Sequence, residues 1–421
     1  MAILEEIYKS LKQIKNGEIS FQTLINRGFD KLPKEESYLI KDSVKSIINR
    51  YYFLLWEQNK IFPVENEVTR DYLVCALGQY HYVKEITNEM ILDELNGIAP
   101  SLEEKISIGE FYQAMVNLDG KALPIPDREY AILNKRLSLL YAYPEWICKM
   151  MTKHFGVKKT YKSIASSRRS VKIALNCNLF LTNQEKIVNE YPNYFEKGAL
   201  DNSLHYIGGD KLIEITPFKN NLVFVEDETN QLIVEKLNLE LNDTALLIAD
   251  DRGLIALDMA IKMKDIGQIH VMAPNIFDYN SITKVATRFK IHSLDVFQSP
   301  IEQLITHVER KTCDKVLLIA PSSSLGLIRK KPDILLTLKK EQIDGFVEEQ
   351  KKQLEEASLY VKNGGIIEYV VYTYNKKESN LIIEEFLNNH KEFSLVEEKQ
   401  IFAYETPSDG AYYAIMKKTN L

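Results

Sequence analysis

The chain has 421 residues, of which 45% are hydrophobic and 27% charged, the balance of a soluble globular protein with material for two or three domains and a large core. Its net charge of −6 excludes an overall nucleic-acid signature, so any RNA contact must come from local basic patches. No apolar run has the length of a transmembrane helix and the N-terminus lacks a signal-peptide pattern. The four scattered cysteines (Cys75, Cys148, Cys177, Cys313) form no CxxC pair, so neither a metal site nor a disulfide framework is indicated and a reducing cytoplasm is the expected compartment.

Residues 1–140 read as all-helical. Ile3, Ile7, Leu11 and Ile14 recur at helical spacing, as do Leu39, Ile40, Val44, Ile47 and Ile48, followed by Tyr51, Leu54 and Leu55. Gly97, Pro100 and Pro124-Ile125-Pro126 punctuate the later helices. Tyr143-Pro144-Glu145-Trp146 opens a helix over 146–155. A basic segment follows, with Lys158, Lys159, Lys162, Arg168, Arg169 and Lys172, then a strand over 171–176. The stretch up to 220 mixes short strands and helices and reads as a small linking α+β unit, 141–220.

From 221 to 421 the rhythm is β-α-β. Strands are predicted over 222–225, 245–248, 269–272, 293–297, 316–319 and 366–371, with helices over 228–239, 254–264 and 278–290. A long amphipathic helix carries Ile343, Phe346, Val347, Leu354, Ala357 and Val361 and is stopped by Asn363-Gly364-Gly365. A helix over 377–389 and two strands, near 394–404 and 411–417, complete the chain. This alternation predicts a doubly wound, mostly parallel sheet, with ligands at the carboxyl ends of its strands.

Those ends carry little chemistry. The first offers Ala249-Asp250-Asp251-Arg252-Gly253, with one glycine where a nucleotide loop needs several, and reads as a plain turn with Asp250 or Asp251 capping the next helix. The second, Met272-Ala273-Pro274-Asn275, lacks the acid that would hold a ribose. The third is Phe297-Gln298-Ser299-Pro300, the fourth Ile319-Ala320-Pro321-Ser322-Ser323-Ser324, and the fifth Val371-Tyr372-Thr373-Tyr374.

Several blocks, in their order and spacing, resemble one family. They are Tyr143-Pro144-Glu145-Trp146, Val225-Glu226-Asp227-Glu228-Thr229-Asn230-Gln231, Ala320 through Asp333, Asn363-Gly364-Gly365 and Asp409-Gly410-Ala411-Tyr412-Tyr413-Ala414. The chain is similar, over nearly its whole length, to the Sun/RsmB-type ribosomal RNA cytosine-5 methyltransferases. The resemblance implies an all-α NusB-like N-terminal domain (1–140), the small α+β linking unit (141–220) and an α/β Rossmann-like methyltransferase domain (221–421). It also implies S-adenosylmethionine as cofactor.

In that family a thiolate after the fifth strand attacks C6 of the cytosine. A second cysteine follows a proline after the fourth strand, and an aspartate stands two residues before that proline. The matching positions here are Tyr372, Ser322 and Ile319, so no catalytic group is intact. A phenol with a pKa near 10 is a poor substitute for a thiolate. The donor-binding positions match Gly253, Leu254, Ile255, Ala273 and Ser299 (or Gln298), with one glycine, a lysine and the acids replaced. Of the remaining thiols, Cys313 falls at the wrong end of its strand, and Cys177 and Cys148 lie outside the catalytic domain.

The reading is therefore a pseudoenzyme, a homologue that binds RNA or the ribosomal subunit, with no cofactor unless the family activity survives. Phosphate contacts would come from Lys158, Lys159, Lys162, Arg168 and Arg169, and from Arg329, Lys330 and Lys331 beside the old cleft. Both runs also fit ordinary solvated surface. Tyr372 and Tyr374 could stack on a base, or plug an emptied pocket. Two alternatives stand: an active methyltransferase with unusual residues, and a protein-interaction scaffold acting through the helical domain. An apolar ligand against Leu254, Ile255 and Ile319 is a further variant, against a collapsed plug. No metal and no membrane partner is expected.

Overall fold

The computed structural model describes residues 3–169, 172–249, 252–405 and 408–419, and the chain divides into two compact units. One comprises 1–168 with 330–340; the other comprises 169–329 with 341–421. Among the described residues, no helix is long and apolar enough to cross a membrane.

The first unit is helical. In the helix Ile3–Lys15 the predicted stripe Ile3, Ile7, Leu11 and Ile14 is buried, joined by Leu4. Each such side chain contributes about 1.5–3 kcal/mol of burial. The helix Glu67–Tyr82 is apolar on most of its circumference, with Leu73, Val74, Cys75, Ala76 and Leu77 all inaccessible, which makes it the central element. Gly78 permits close packing: a Cβ there would lie 2.3 Å from Ile47 Cγ1 on the helix Lys34–Ile48. Side-chain caps start several helices, among them Asn66 accepting from the Thr69 amide.

Residues 330–340, which the sequence places in the turn after a strand, belong to this helical unit. The Tyr52 hydroxyl donates to the Leu335 carbonyl at 2.8 Å, and Leu335 is buried. The helix predicted over 146–155 runs as Glu145–Ser166 with a break at Gly156 (φ 77°, ψ 167°), so the basic segment is helical as far as Ser166.

The second unit holds two sheets. The smaller is antiparallel, from β1 (Ile173–Cys177), β2 (Phe195–Lys197), β3 (Ser203–Tyr206) and β4 (Val223–Val225), in the order β2-β3-β1-β4. The strand expected at 222–225 to open the β-α-β series thus pairs with β1 instead. The larger sheet is formed by β5 (Thr244–Ala249), β6 (Gln268–Ala273), β7 (Leu294–Gln298), β8 (Cys313–Ile319), β9 (Val361–Val371), β10 (Phe393–Ile401) and β11 (Ala411–Lys418). Its order is β10-β11-β9-β8-β5-β6-β7, parallel from β9 to β7, with β11 and β10 antiparallel at the edge. The chain leaves β5 toward β6 and β7, then returns to β8, so β5 and β8 flank the switch point where such sheets hold ligands.

Asn363-Gly364-Gly365 does not stop the long helix. That helix ends at Ser358, and the three residues lie inside β9, where the register jumps from Cys313↔Val361 to Lys315↔Ile366. Gly364, at φ +80°, supplies the left-handed residue that this bulge needs. Beyond the bulge, successive β9 side chains alternate between two cores, Ile366 and Val370 on one face, Ile367, Tyr369 and Val371 on the other.

Candidate functional site

The described strand ends close on themselves. After β5, Gly253 adopts φ +95°, and a Cβ there would lie 2.8 Å from Ile282 Cα, so the helix Ile276–Phe289 occupies the space above it. Ile255 is buried, and the half-buried Leu254 packs on the same core as Ile319. These three predicted pocket residues are core. Asp250 and Asp251 lie outside the described residues.

At the end of β6, Ala273 is buried and offers no acceptor side chain, and Asn275 is committed as a helix cap, accepting from the Phe277 and Asp278 amides. After β7, Ser299 is buried and its hydroxyl donates to the carbonyl of Pro300. Among the described residues at the positions matched to a donor site, no carboxylate is presented, and the residues do not fit a ribose.

After β8 and β9, one buried carboxylate ties the turns together. Glu378 is fully inaccessible. It accepts from the Ser323 amide (2.7 Å) and hydroxyl (2.7 Å), Thr373 Oγ1 (3.1 Å), Asn375 Nδ2 (2.9 Å) and Gln350 Nε2 (3.3 Å). Gln350, on the helix Gln342–Ser358, also donates to the Pro321 carbonyl at 2.8 Å. Sequence reasoning missed this hub, because a lone glutamate in a polar turn carries no sign of burial.

Tyr372 is half-buried, and its hydroxyl donates to Asn230 Oδ1 on the helix Glu228–Lys236. Its carbonyl accepts from the Gly326 amide at 3.0 Å, and the Gly410 amide donates to the Gly326 carbonyl at 3.0 Å. The two candidate aromatics therefore divide. Tyr374 is buried, stacks on Phe402 at 5.7 Å and accepts from the Ala403 amide, so it fills the fold and is not a stacking platform. Ser322 is half-buried and accepts from the Ser324 amide at 3.3 Å within its own turn. All four cysteines are buried, and burial pushes their thiols up, to about 12 for Cys148 and Cys177 and about 11 for Cys313.

Beside the helix Leu254–Lys262, Asn176 of β1 donates to Glu226 Oε2 and to Asp258 Oδ1, both at 2.9 Å. Burial raises Asp258 to about 7. Among the described residues, no group of three or more His, Cys, Asp or Glu could hold a metal ion.

The basic candidates also divide. Lys158, Lys159, Lys162, Arg169, Lys330 and Lys331 are exposed. Arg168 is not a surface cation: Nε donates to the Tyr141 carbonyl at 2.8 Å, one amino group to the Ala142 carbonyl, and another to Asn49 Oδ1 at 2.9 Å. Desolvation lowers its pKa, the cost of holding a guanidinium inside. Arg329 is half-buried and donates to the Ala403 carbonyl at 2.6 Å.

Residues 237–413 match the sequence profile of the 16S rRNA methyltransferase RsmB/F family. Over this span the chain is similar to that family. The RsmB/F relatives include the probable ribosomal RNA small subunit methyltransferase B of Bacillus subtilis (strain 168), 24% identical over 386 residues, covering 90% of this chain and 83% of that protein. The crystal structure of PH0851 superposes with a TM-score of 0.78 at 20% identity, covering 99% of both chains. NSun6 from Pyrococcus horikoshii with SFG gives a TM-score of 0.60 at 13% identity over 66% of this chain and 99% of that one. These likenesses show the fold expected from the sequence: a helical N-terminal region followed by a Rossmann-like methyltransferase domain.

Proposed function

We propose that this chain is a non-catalytic RsmB/F homologue that binds RNA or the small ribosomal subunit. The observation that carries the reading is the residue at the position implied for the covalent nucleophile. Tyr372 stands there, with its phenol engaged by Asn230 and its backbone closed by the Gly326 amide. A covalent methyltransferase needs a thiolate at that point. Three further observations support the reading: buried, protonated thiols, a donor turn whose glycine is packed under Ile282, and buried Ala273, with no acceptor side chain, at the position implied for a ribose acid.

Calorimetric titration with S-adenosylmethionine and S-adenosylhomocysteine tests the catalytic half of the proposal. No heat at millimolar ligand is expected. Micromolar binding would overturn it in favour of an active RNA cytosine-5 methyltransferase with unusual residues, the reading that the family likeness alone favours. Salt-sensitive retention of RNA tests the other half, since counterion release makes phosphate binding steeply salt-dependent. Its absence would favour a protein scaffold.

A further inference from the structure

The helical unit carries an aromatic and cationic patch that the sequence only half displays. Tyr141 ends the helix Leu133–Tyr141, and its hydroxyl donates to that of Tyr161, on the helix Glu145–Ser166, at 3.2 Å. The two rings meet edge to face, 6.0 Å apart at 83°. A third ring, Tyr130, is tied to the helix Leu133–Tyr141 through Arg136. Arg136 lies over the Tyr130 ring, 5.1 Å from its centroid. Tyr130 and Tyr161 are each 45% exposed, although rings of this size gain by burial. Lys158 and Lys162 flank Tyr161 on the same helix and are exposed.

Charge selects the occupant. Within the helical unit, residues 146–168 contain six lysines and arginines and no aspartate or glutamate, in a chain whose net charge is −6. Such segregation concentrates positive potential where the exposed rings lie, and a polyanion with flat, stackable groups complements both features. A protein partner would be matched by an apolar, less charged patch. Arg168 takes a positioning role: its bonds to the Tyr141 and Ala142 carbonyls satisfy the end of the helix Leu133–Tyr141 and so fix where the Tyr141 ring projects.

We propose that Tyr130, Tyr141 and Tyr161, with Arg136, Lys158 and Lys162, form a stacking platform for single-stranded RNA on the helical unit. The inference rests on the RNA-binding reading above and gives it a site on the helical unit. Duplex RNA buries its bases and offers no free faces, so the platform discriminates against it.

Fluorescence anisotropy of the full chain with a labelled uridine 20-mer, beside an RNA hairpin of equal length, tests the site. The single strand is expected to bind more tightly than the hairpin. Tyr161→Ala and Tyr130→Ala are each expected to weaken it roughly five- to a hundred-fold, the range of one lost base stack, whereas Tyr161→Phe keeps the ring and the affinity. Lys158→Gln is expected to flatten the salt dependence by about one phosphate contact. Circular dichroism and urea melts of the same variants are expected to match the parent, because these rings are half-exposed. If the parent binds the 20-mer and both alanine variants bind equally well, the platform is wrong and the RNA-binding reading survives. If the parent binds neither RNA, that reading falls as well.

Discussion

Ser323 and Glu378, 55 residues apart, meet in a two-point contact: the serine amide and hydroxyl both donate to the carboxylate at 2.7 Å. The turn after β8 is thereby fastened to the turn after β9. Removing the carboxylate strands several buried donors, each costing about 1–3 kcal/mol. Glu378→Ala is expected to destabilise the protein by about 3 kcal/mol or more in urea unfolding, and Glu378→Gln by less, because an amide keeps one acceptor. Equal midpoints for parent and Glu378→Ala would show that the contact does not hold the turns.

Asp258 makes stability depend on pH. Its folded pKa is raised to about 7 by burial, above the roughly 3.9 of an unfolded aspartate. The folded state therefore binds more protons between these values. The stabilisation is complete below about pH 4 and is lost as pH rises through about 7. Asp258→Asn, which carries no proton to lose, is expected to gain on the parent across that window by a few kcal/mol and to track it above about pH 8. Denaturant midpoints of both proteins from pH 5 to 8 check the sign.

Tyr372→Cys places a thiol at the position that the resemblance implies for the nucleophile. Donor binding and the partner groups at Ser322 and Ile319 would still be lacking, so no methyl transfer from labelled S-adenosylmethionine to RNA is expected, even with Ser322→Cys added. Label appearing in RNA would mean that the donor site works and that loss of the thiols alone had silenced the enzyme.

Gly326 sits where no side chain fits, since a Cβ would lie 1.8 Å from the Gly410 carbonyl oxygen. Gly326→Ala must push apart the loops that close over Tyr372, at about 2 kcal/mol or more. Thermal unfolding is expected to show the loss. An unchanged midpoint would mean that the two loops move independently.

Arg168 and Lys158 should separate structure from binding. Arg168→Ala leaves the Tyr141 carbonyl without its donor and is expected to lower stability by about 2 kcal/mol. Lys158→Ala is expected to leave stability within about 0.5 kcal/mol. Urea melts of the two variants distinguish the roles, and equal stability would return Arg168 to the surface set.

The sequence by itself determined the helical N-terminal region and the alternation of strands and helices behind it. These are local properties: the burial of Ile3, Ile7, Leu11 and Ile14, or of Val316 and Leu317, is written in the spacing of neighbours along one element. Tertiary structure decided what spacing cannot carry. Asn363-Gly364-Gly365 reads as a helix stop, but the pairing of β9 with β8 makes it a bulge. Residues 222–225 read as the first strand of the large sheet, but β1 captures β4. Arg168 reads as one cation in a basic run, yet carbonyls at 141 and 142 turn it inward. The polar turn at Asn375 to Glu378 gives no hint that its carboxylate is sealed under Ser323 and Gln350. In each case the deciding partner is remote in the chain, and which remote groups meet depends on sheet order and packing, not on the pattern within any one element.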